Sequence, residues 1–119
     1  MQSRSFKDLQ VWQRSRKLAV RIYSVTKSFP KEEMFGLTSQ LRRAGVSIPS
    51  NIAEGHRRGT DKEFIQFLNI ARGSLAEIET QIIIANDVTL IEDSITEEMV
   101  AEINEIGKMI NGLISSLRK

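Results

Sequence analysis

Apolar residues recur along this chain at alternating spacings of three and four, in four separate stretches. That spacing marks helices that each bury one face. The first stretch joins Val11, Ser15, Leu18, Ile22, Val25 and Phe29, flanked by Trp12, Ala19 and Tyr23. It predicts a helix from about Lys7 to Ser28, ended by Pro30. The second joins Leu37, Leu41, Ala44, Ile48 and Ile52. It is expected to start near Lys31–Glu33, where acidic side chains suit the positive helix end, and to finish between Gly55 and Gly59. The third joins Phe64, Leu68, Ala71, Leu75, Ile78, Ile82 and Ala85, with Thr60 and Glu63 as a capping box and Asn86–Asp87 as the end. The fourth joins Met99, Ile103, Ile106, Ile110, Leu113 and Leu117. Thr96 is its expected cap, and Ser94 with Glu97 is an alternative.

No alternation of period two competes with these rows. Helices of roughly 22–27 residues would be about 33–40 Å long. Similar lengths and short connections predict an all-α fold, an antiparallel up-down-up-down four-helix bundle filling residues 1–119 as one domain. Two helical hairpins exchanging partners between chains would fit the same pattern.

Pro49 falls inside the second row. Its ring crowds the carbonyl four residues back, and it lacks an N–H to bond it. That residue is Gly45, which leaves the backbone room to bend, so a proline-kinked but continuous second helix is expected. A full break at Ser47–Ile48 is the alternative. Small residues gather here (Ala44, Gly45, Ser47, Ser50, Ala53, Gly55) and in the third helix (Ala71, Gly73, Ser74, Ala76), which predicts a close contact between helices two and three. Asn51 and Glu54 are polar residues among apolar ones and are candidate buried ties. The third helix also carries a second seam, Phe67, Ile70, Ser74, Glu77, Gln81 and Ile84, apolar at its ends and polar in its middle. Such a seam either faces water, finds polar partners from Ser47, Asn51 or Arg42–Arg43, or meets another subunit.

The 119-residue length suits one core, and a 27% charged, 40% hydrophobic composition is that of an ordinary folded protein. Disulfides and thiolate metal sites are excluded by the absence of cysteine, which fits a cytoplasmic protein. No apolar run approaches a membrane span, and MQSRSFKDLQVW has no apolar signal core. Net charge is +2, but it is unevenly placed. Residues 1–58 carry twelve basic and four acidic side chains, and residues 59–119 carry five and eleven, giving +8 and −6. Either the basic half is a nucleic-acid footprint, or the two halves attract each other across the bundle or between copies.

Chemistry is sparse. The single histidine, His56, has no second histidine for a di-iron set and no nucleophile-elbow or phosphate-loop motif beside it. Arg43 stands thirteen residues before His56, too far for an arginine–histidine ribonuclease pair on one helix. A ribonuclease relying on Glu54 or His56 is the weakest of the readings. No catalytic residue, metal ligand or cofactor is therefore expected. The basic side chains do form a pattern. Lys7, Arg14, Lys17 and Arg21 share a stripe on the first helix, Arg42 and Arg43 lie on the second, and Arg57, Arg58 and Lys62 crowd the following turn. These are the candidate phosphate contacts, of a kind that read charge rather than sequence. A solvated charged face would carry the same stripe. Trp12 and Tyr23 sit toward the apolar side, which disfavours base stacking.

The chain also resembles a known family. The residues that carry the resemblance are Phe6-x-x-Leu9-x-Val11-Trp12, Phe29-Pro30-x-x-Glu33-x-x-Gly36-Leu37-x-x-Gln40-Leu41-Arg42-Arg43-Ala44 and Ser47-Ile48-x-x-Asn51-Ile52-Ala53-Glu54-Gly55. Glu63-Phe64, Phe67-Leu68, Ala71-x-Gly73-Ser74 and Glu77 extend them. Together they resemble the bacterial four-helix-bundle proteins encoded in intervening sequences of large-subunit ribosomal RNA genes, sometimes labelled ribosomal proteins. Pro49, Asn51, Glu54 and Gly55 form the centre of that motif. The same family includes the accessory variability determinant of diversity-generating retroelements. The resemblance implies a homo-oligomer, specifically a pentamer, and an association with nucleic acid. A reverse-transcriptase partner follows only by analogy with those relatives. The combined expectation is a non-enzymatic oligomeric accessory protein that binds RNA or DNA through helices one and two. The alternative is an interaction scaffold that binds no nucleic acid.

Overall fold

A computed structural model describes residues 5–119; residues 1–4 of the expected domain lie outside them. Four α-helices account for most of the described residues: α1 (Gln10–Thr26), α2 (Ser39–Arg57), α3 (Asp61–Asp87) and α4 (Asp93–Leu117). They form an antiparallel up-down-up-down bundle within an envelope of 45 × 23 × 20 Å. Cross-helix pairs fix the directions. Arg42 meets Thr26 and Arg57 meets Phe6 between α2 and α1. Ser47 meets Ser74 and Gln40 meets Gln81 between α2 and α3. Arg14 meets Glu102 and Arg21 meets Glu98 between α1 and α4. In each case one number rises as the other falls.

The three–four rows form the core. Ile22, Leu41, Ile48, Ile52, Leu68, Ile78, Ile82, Met99, Ile106 and Ile110 are almost fully buried. Burial of side chains this size contributes about 1.5–3 kcal/mol each, which makes the core the main source of stability.

The ends differ from expectation in three places. Helix α2 starts at Ser39, not near Lys31–Glu33. A 3-10 turn (Lys31–Glu33) and a wide π turn (Met34–Thr38) precede it, because Gly36 leaves the helical region at φ −113°, ψ −116°. Glu33 still caps this segment, its Oε1 accepting from the Leu37 N–H at 3.3 Å. Helix α4 starts at Asp93, and Thr96 lies inside it, its hydroxyl donating to the Glu92 carbonyl at 2.9 Å. Helix α1 is also shorter than its pattern, since Lys7 belongs to a separate 3-10 turn (Phe6–Asp8). Thr60 caps α3 as expected, accepting from the Glu63 N–H at 3.2 Å.

Helix α2 runs unbroken through Pro49. A Cβ on Gly45 would stand 2.9 Å from Ile22 Cδ1 and 3.6 Å from Ala19 Cα, so this glycine lets α2 approach α1. At Gly55 a Cβ would stand 2.6 Å from Phe67 Cβ and 3.1 Å from Phe64 Cδ1, so this one lets α2 approach α3. The small residues thus serve two contacts where the sequence suggested one. Gly73 and Ala76 face away from α2 and are exposed. The polar residues divide as well. Gln81 is buried, whereas Glu54 and Glu77 are exposed. Asn51 is half-buried and donates to the Ser47 carbonyl of its own helix at 2.7 Å.

Helix α3 ends in a Schellman arrangement. Leu90 N–H donates to the Ala85 carbonyl at 2.8 Å and Thr89 N–H to the Asn86 carbonyl at 2.9 Å. This places Thr89 at φ 66°, a conformation that costs a branched side chain about 1–2 kcal/mol. Thr89→Gly should therefore raise unfolding free energy by about 1 kcal/mol in a denaturant titration. Gly55→Ala should lower it by about 1–3 kcal/mol through overpacking. Gly73→Ala, at a site with open space around its Cβ, should raise it by about 0.5–1 kcal/mol.

Candidate nucleic-acid interface

The basic stripe of α1 lies beside the acidic face of α4. Arg14 grips Glu102 with two hydrogen bonds, Nε to Oε2 at 2.9 Å and Nη2 to Oε1 at 2.7 Å. Hydrogen bonding and charge attraction from Glu102 raise the Arg14 pKa above its ordinary value. Arg21 pairs with Glu98 at 2.7 Å. Lys17 lies between these two pairs on the rim of the same shallow α1–α4 groove and is exposed. Two of the three α1 cations nominated from the sequence thus hold α4 in place, and their charge is already matched.

The other nominated cations fall into two groups. Arg42 is half-buried, its Nε donating to Thr26 Oγ1 at 2.9 Å and its guanidinium lying 4.7 Å from the Tyr23 ring centre. With Arg43 and Tyr23 it lines a groove of about 410 Å³ between α1 and α2, walled by Met34 and Val46. The second group stands at the opposite end of α2. Arg57 lies 5.4 Å over Phe6, Phe6 meets Trp12 edge-on at 5.2 Å, and Arg16 lies 5.2 Å over Trp12. The result is a continuous row of guanidinium, ring, ring and guanidinium across the 3-10 turn, α1 and α2. Each cation–ring contact at an exposed site contributes about 0.5–1 kcal/mol and holds the arginine in a fixed place.

Arg58 and Lys62 extend this end onto the α2–α3 turn. Arg58 forms ion pairs with Glu54 at 3.1 Å and Glu63 at 3.7 Å, and covers Phe67 at 5.0 Å. Gly59, at φ 91°, makes the tight turn that brings these groups together. His56 packs edge-on against Phe64 at 5.7 Å. Among the described residues, Lys7, Lys17, Arg43 and Lys62 have no hydrogen bond, ion pair or ring partner for their charged ends. The sequence pattern missed Arg16 and Phe6. Arg16 falls outside the α1 stripe, and Phe6 precedes the helix. The signal that could have found them is the short Phe6–Trp12–Arg16 interval, with two aromatics and a cation near one helix start.

Among the described residues, no three His, Asp or Glu side chains gather as a metal group, and no helix is long and apolar enough to cross a membrane. Fold and site together define an all-α antiparallel bundle with a basic, aromatic-backed end. The chain belongs to the family of 23S rRNA-intervening sequence proteins, whose model matches residues 7–112. It is also similar to a protein with unknown function from the S23 ribosomal protein family of Bacteroides thetaiotaomicron, known from a crystal structure. The two are 30% identical with a TM-score of 0.79, over 92% of this chain and 96% of that one. No curated protein sequence matches the chain. Neither the family description nor that of the similar structure names a reaction.

The Arg14–Glu102 pair is half-exposed, so its coupling energy should be small. A double-mutant cycle with Arg14→Ala and Glu102→Ala, read by thermal unfolding, should give about 0.2–1 kcal/mol, falling as salt is added.

Proposed function

We propose that this protein is a non-enzymatic, oligomeric accessory protein of the cytoplasm that binds nucleic acid through the basic ends and edges of α1 and α2. The observation that carries this reading is the Arg57–Phe6–Trp12–Arg16 row, flanked by Lys7 and Lys62. Arginines held over rings are pre-positioned, so less freedom is lost when they meet phosphate. Their planar donor forks suit phosphate oxygens. Little of the row offers a base-sized aromatic surface, since Trp12 and Phe6 are half-buried and already in contact. Contacts are thus to the backbone, and sequence preference is weak. Arg14 and Arg21, bound to α4, contribute to the bundle, and Lys17 and Arg43 remain as outlying phosphate contacts.

The exposed apolar side chains, Phe35 foremost, favour a second reading as a protein-interaction scaffold. The two readings separate by direct binding. Fluorescence anisotropy with labelled RNA and DNA should show affinity falling with salt for both. Replacing Arg16 and Arg57 together by Ala should weaken binding across unrelated sequences and flatten the log–log salt slope by about two. Arg14→Ala should leave that slope unchanged. No binding at low salt would end the nucleic-acid reading.

A further inference from the structure

Near the start of α2, at the end away from Arg57, residues of α2 and α3 line a polar cleft of about 530 Å³. Ser47 and Ser74 line it and share a hydrogen bond at 2.7 Å. Arg43 on α2 and Glu77 on α3 line it as well, and both are exposed. Neither forms an ion pair or hydrogen bond among the described residues, with each other or with any neighbour. One cation and one anion thus border one space with their donors and acceptors unspent. Phe35, in the π turn before α2, borders the same cleft and is 94% exposed. Its ring is free, unlike those of Phe6 and Trp12, which already meet each other and two guanidiniums.

The polar network at the cleft is also one partner short. Gln40 lines it and accepts from Gln81 Nε2 at 3.3 Å. Gln81 is only 7% exposed, and its Oε1 is buried with no hydrogen bond. Buried polar oxygens ordinarily accept one. The cleft therefore suits a flat ligand with hydrogen-bond donors on one edge, acceptors on another and a face to lay on a ring.

We propose that this cleft binds a single unpaired guanine base, held between Arg43 and Glu77 and stacked on Phe35. Guanine carries the acceptors O6 and N7 on one edge, which a planar guanidinium bonds two at a time. Its N1–H and 2-amino group form a donor edge, which a carboxylate takes with both oxygens. Adenine, cytosine and uracil lack that combination of a two-acceptor edge and a two-donor edge. The remaining amino hydrogen is a donor of the kind Gln81 Oε1 lacks. Unpaired bases are read on these edges while stacked on an aromatic ring. Other occupants fit less well. A phosphate would meet the Glu77 carboxylate. An apolar side chain would leave both charges without partners. An amino acid would match both charges but offer no ring face to Phe35. In this cleft Arg43 serves the base in place of the outlying phosphate contact given to it above. A guanine within a strand rests on the nucleic-acid reading, whereas a free guanine nucleotide does not.

The test uses 5′-GMP, 5′-IMP and 5′-AMP, titrated calorimetrically into the full chain. Beside them run two labelled single-stranded RNAs, one all adenine and one with a single central guanine, read by anisotropy. GMP should bind about tenfold or more tightly than AMP. It should also bind more tightly than IMP, which lacks the 2-amino group. A strand as the source shows the same preference between the two RNAs, lost when the guanine is paired in a duplex. Glu77→Gln should remove the guanine preference, and Phe35→Ala should weaken guanine binding about tenfold. Both side chains are exposed, so circular dichroism should not change. Replacing Arg16 and Arg57 by Ala should weaken both RNAs and leave the preference in place. Equal binding of guanine and adenine probes, no binding of any guanine probe, or a preference that survives Glu77→Gln would each overturn the inference. If both RNAs still bind in a salt-dependent way, the nucleic-acid reading stands without it. GMP binding with no RNA binding would uphold the cleft and end the nucleic-acid reading.

Discussion

Helix α2 must touch two neighbours at close range, and glycine is what permits it. Gly45 and Gly55 are ten residues apart, so at about 100° per residue they point to different sides of the helix. One admits Ala19 and Ile22 of α1, and the other admits Phe64 and Phe67 of α3. With α2 seated against both, Leu41, Ile48 and Ile52 reach the centre and are almost fully buried. Continuity through Pro49 belongs to the same constraint. A break there would uncouple the Gly45 contact from the Gly55 contact, and one helix could no longer set the spacing of both. The close approach at Gly55 also fixes where α2 ends. It brings Arg57, Arg58 and Gly59 to the end of the bundle that holds Phe6 and Trp12.

The division into a basic and an acidic half is in part a feature of folding. Antiparallel order places α1 beside α4, and the cations of one face the carboxylates of the other. Arg14 and Arg21 are matched there by Glu102 and Glu98. Each pair is too exposed to add much stability. Their effect is on register, since Glu98 and Glu102 are four residues apart and a one-turn slip of α4 would leave only one of the two arginines opposite one of these glutamates. Net charge by segment therefore overstates the free positive surface. Of the cations nominated from the sequence, Lys7, Lys17, Arg43 and Lys62 remain unmatched among the described residues, with arginines held over rings at one end.

The fold was legible because its information is local and repeated. Four amphipathic rows, one capping box and one proline with a glycine four residues before it are short-range patterns, and each led to a helix. The helix starts were less legible. Gly36 leaves the helical region inside a segment whose acidic residues read as a helix beginning, and nothing in composition separates a π turn from a first α turn. The site was only half legible for a related reason. Periodicity puts Arg14, Lys17 and Arg21 on one stripe, but it does not say which helix faces that stripe. Arg16 is off the stripe, and it becomes part of a cluster only when the turn at Phe6 folds back against Trp12. Likewise the α3 seam is visible in sequence as a second row. Whether Gln81 is covered and Glu77 is not depends on how deeply α2 sits.

The centre of the family motif and the residues with free chemistry are mostly different ones. Ala44, Ile48, Ile52 and Gly55 are buried, and Asn51 spends its amide on a carbonyl of its own helix. Their packing requires those side chains whatever the bundle binds. Family membership therefore accounts for the architecture of α2 and α3 and leaves the surface to be argued residue by residue. That surface has two chemistries held apart by the length of α2. The end near Arg57 presents cations backed by rings, and the opposite end presents Phe35 above a cleft with one charge of each sign. A helix of 19 residues spans about 28 Å, so a partner seated over Phe35 and Arg43 would not cover Arg57. The geometry of α2 thus leaves the Arg57–Phe6–Trp12–Arg16 row clear of any contact made at Phe35, and of the nominated cations only Arg42 and Arg43 lie at the Phe35 end.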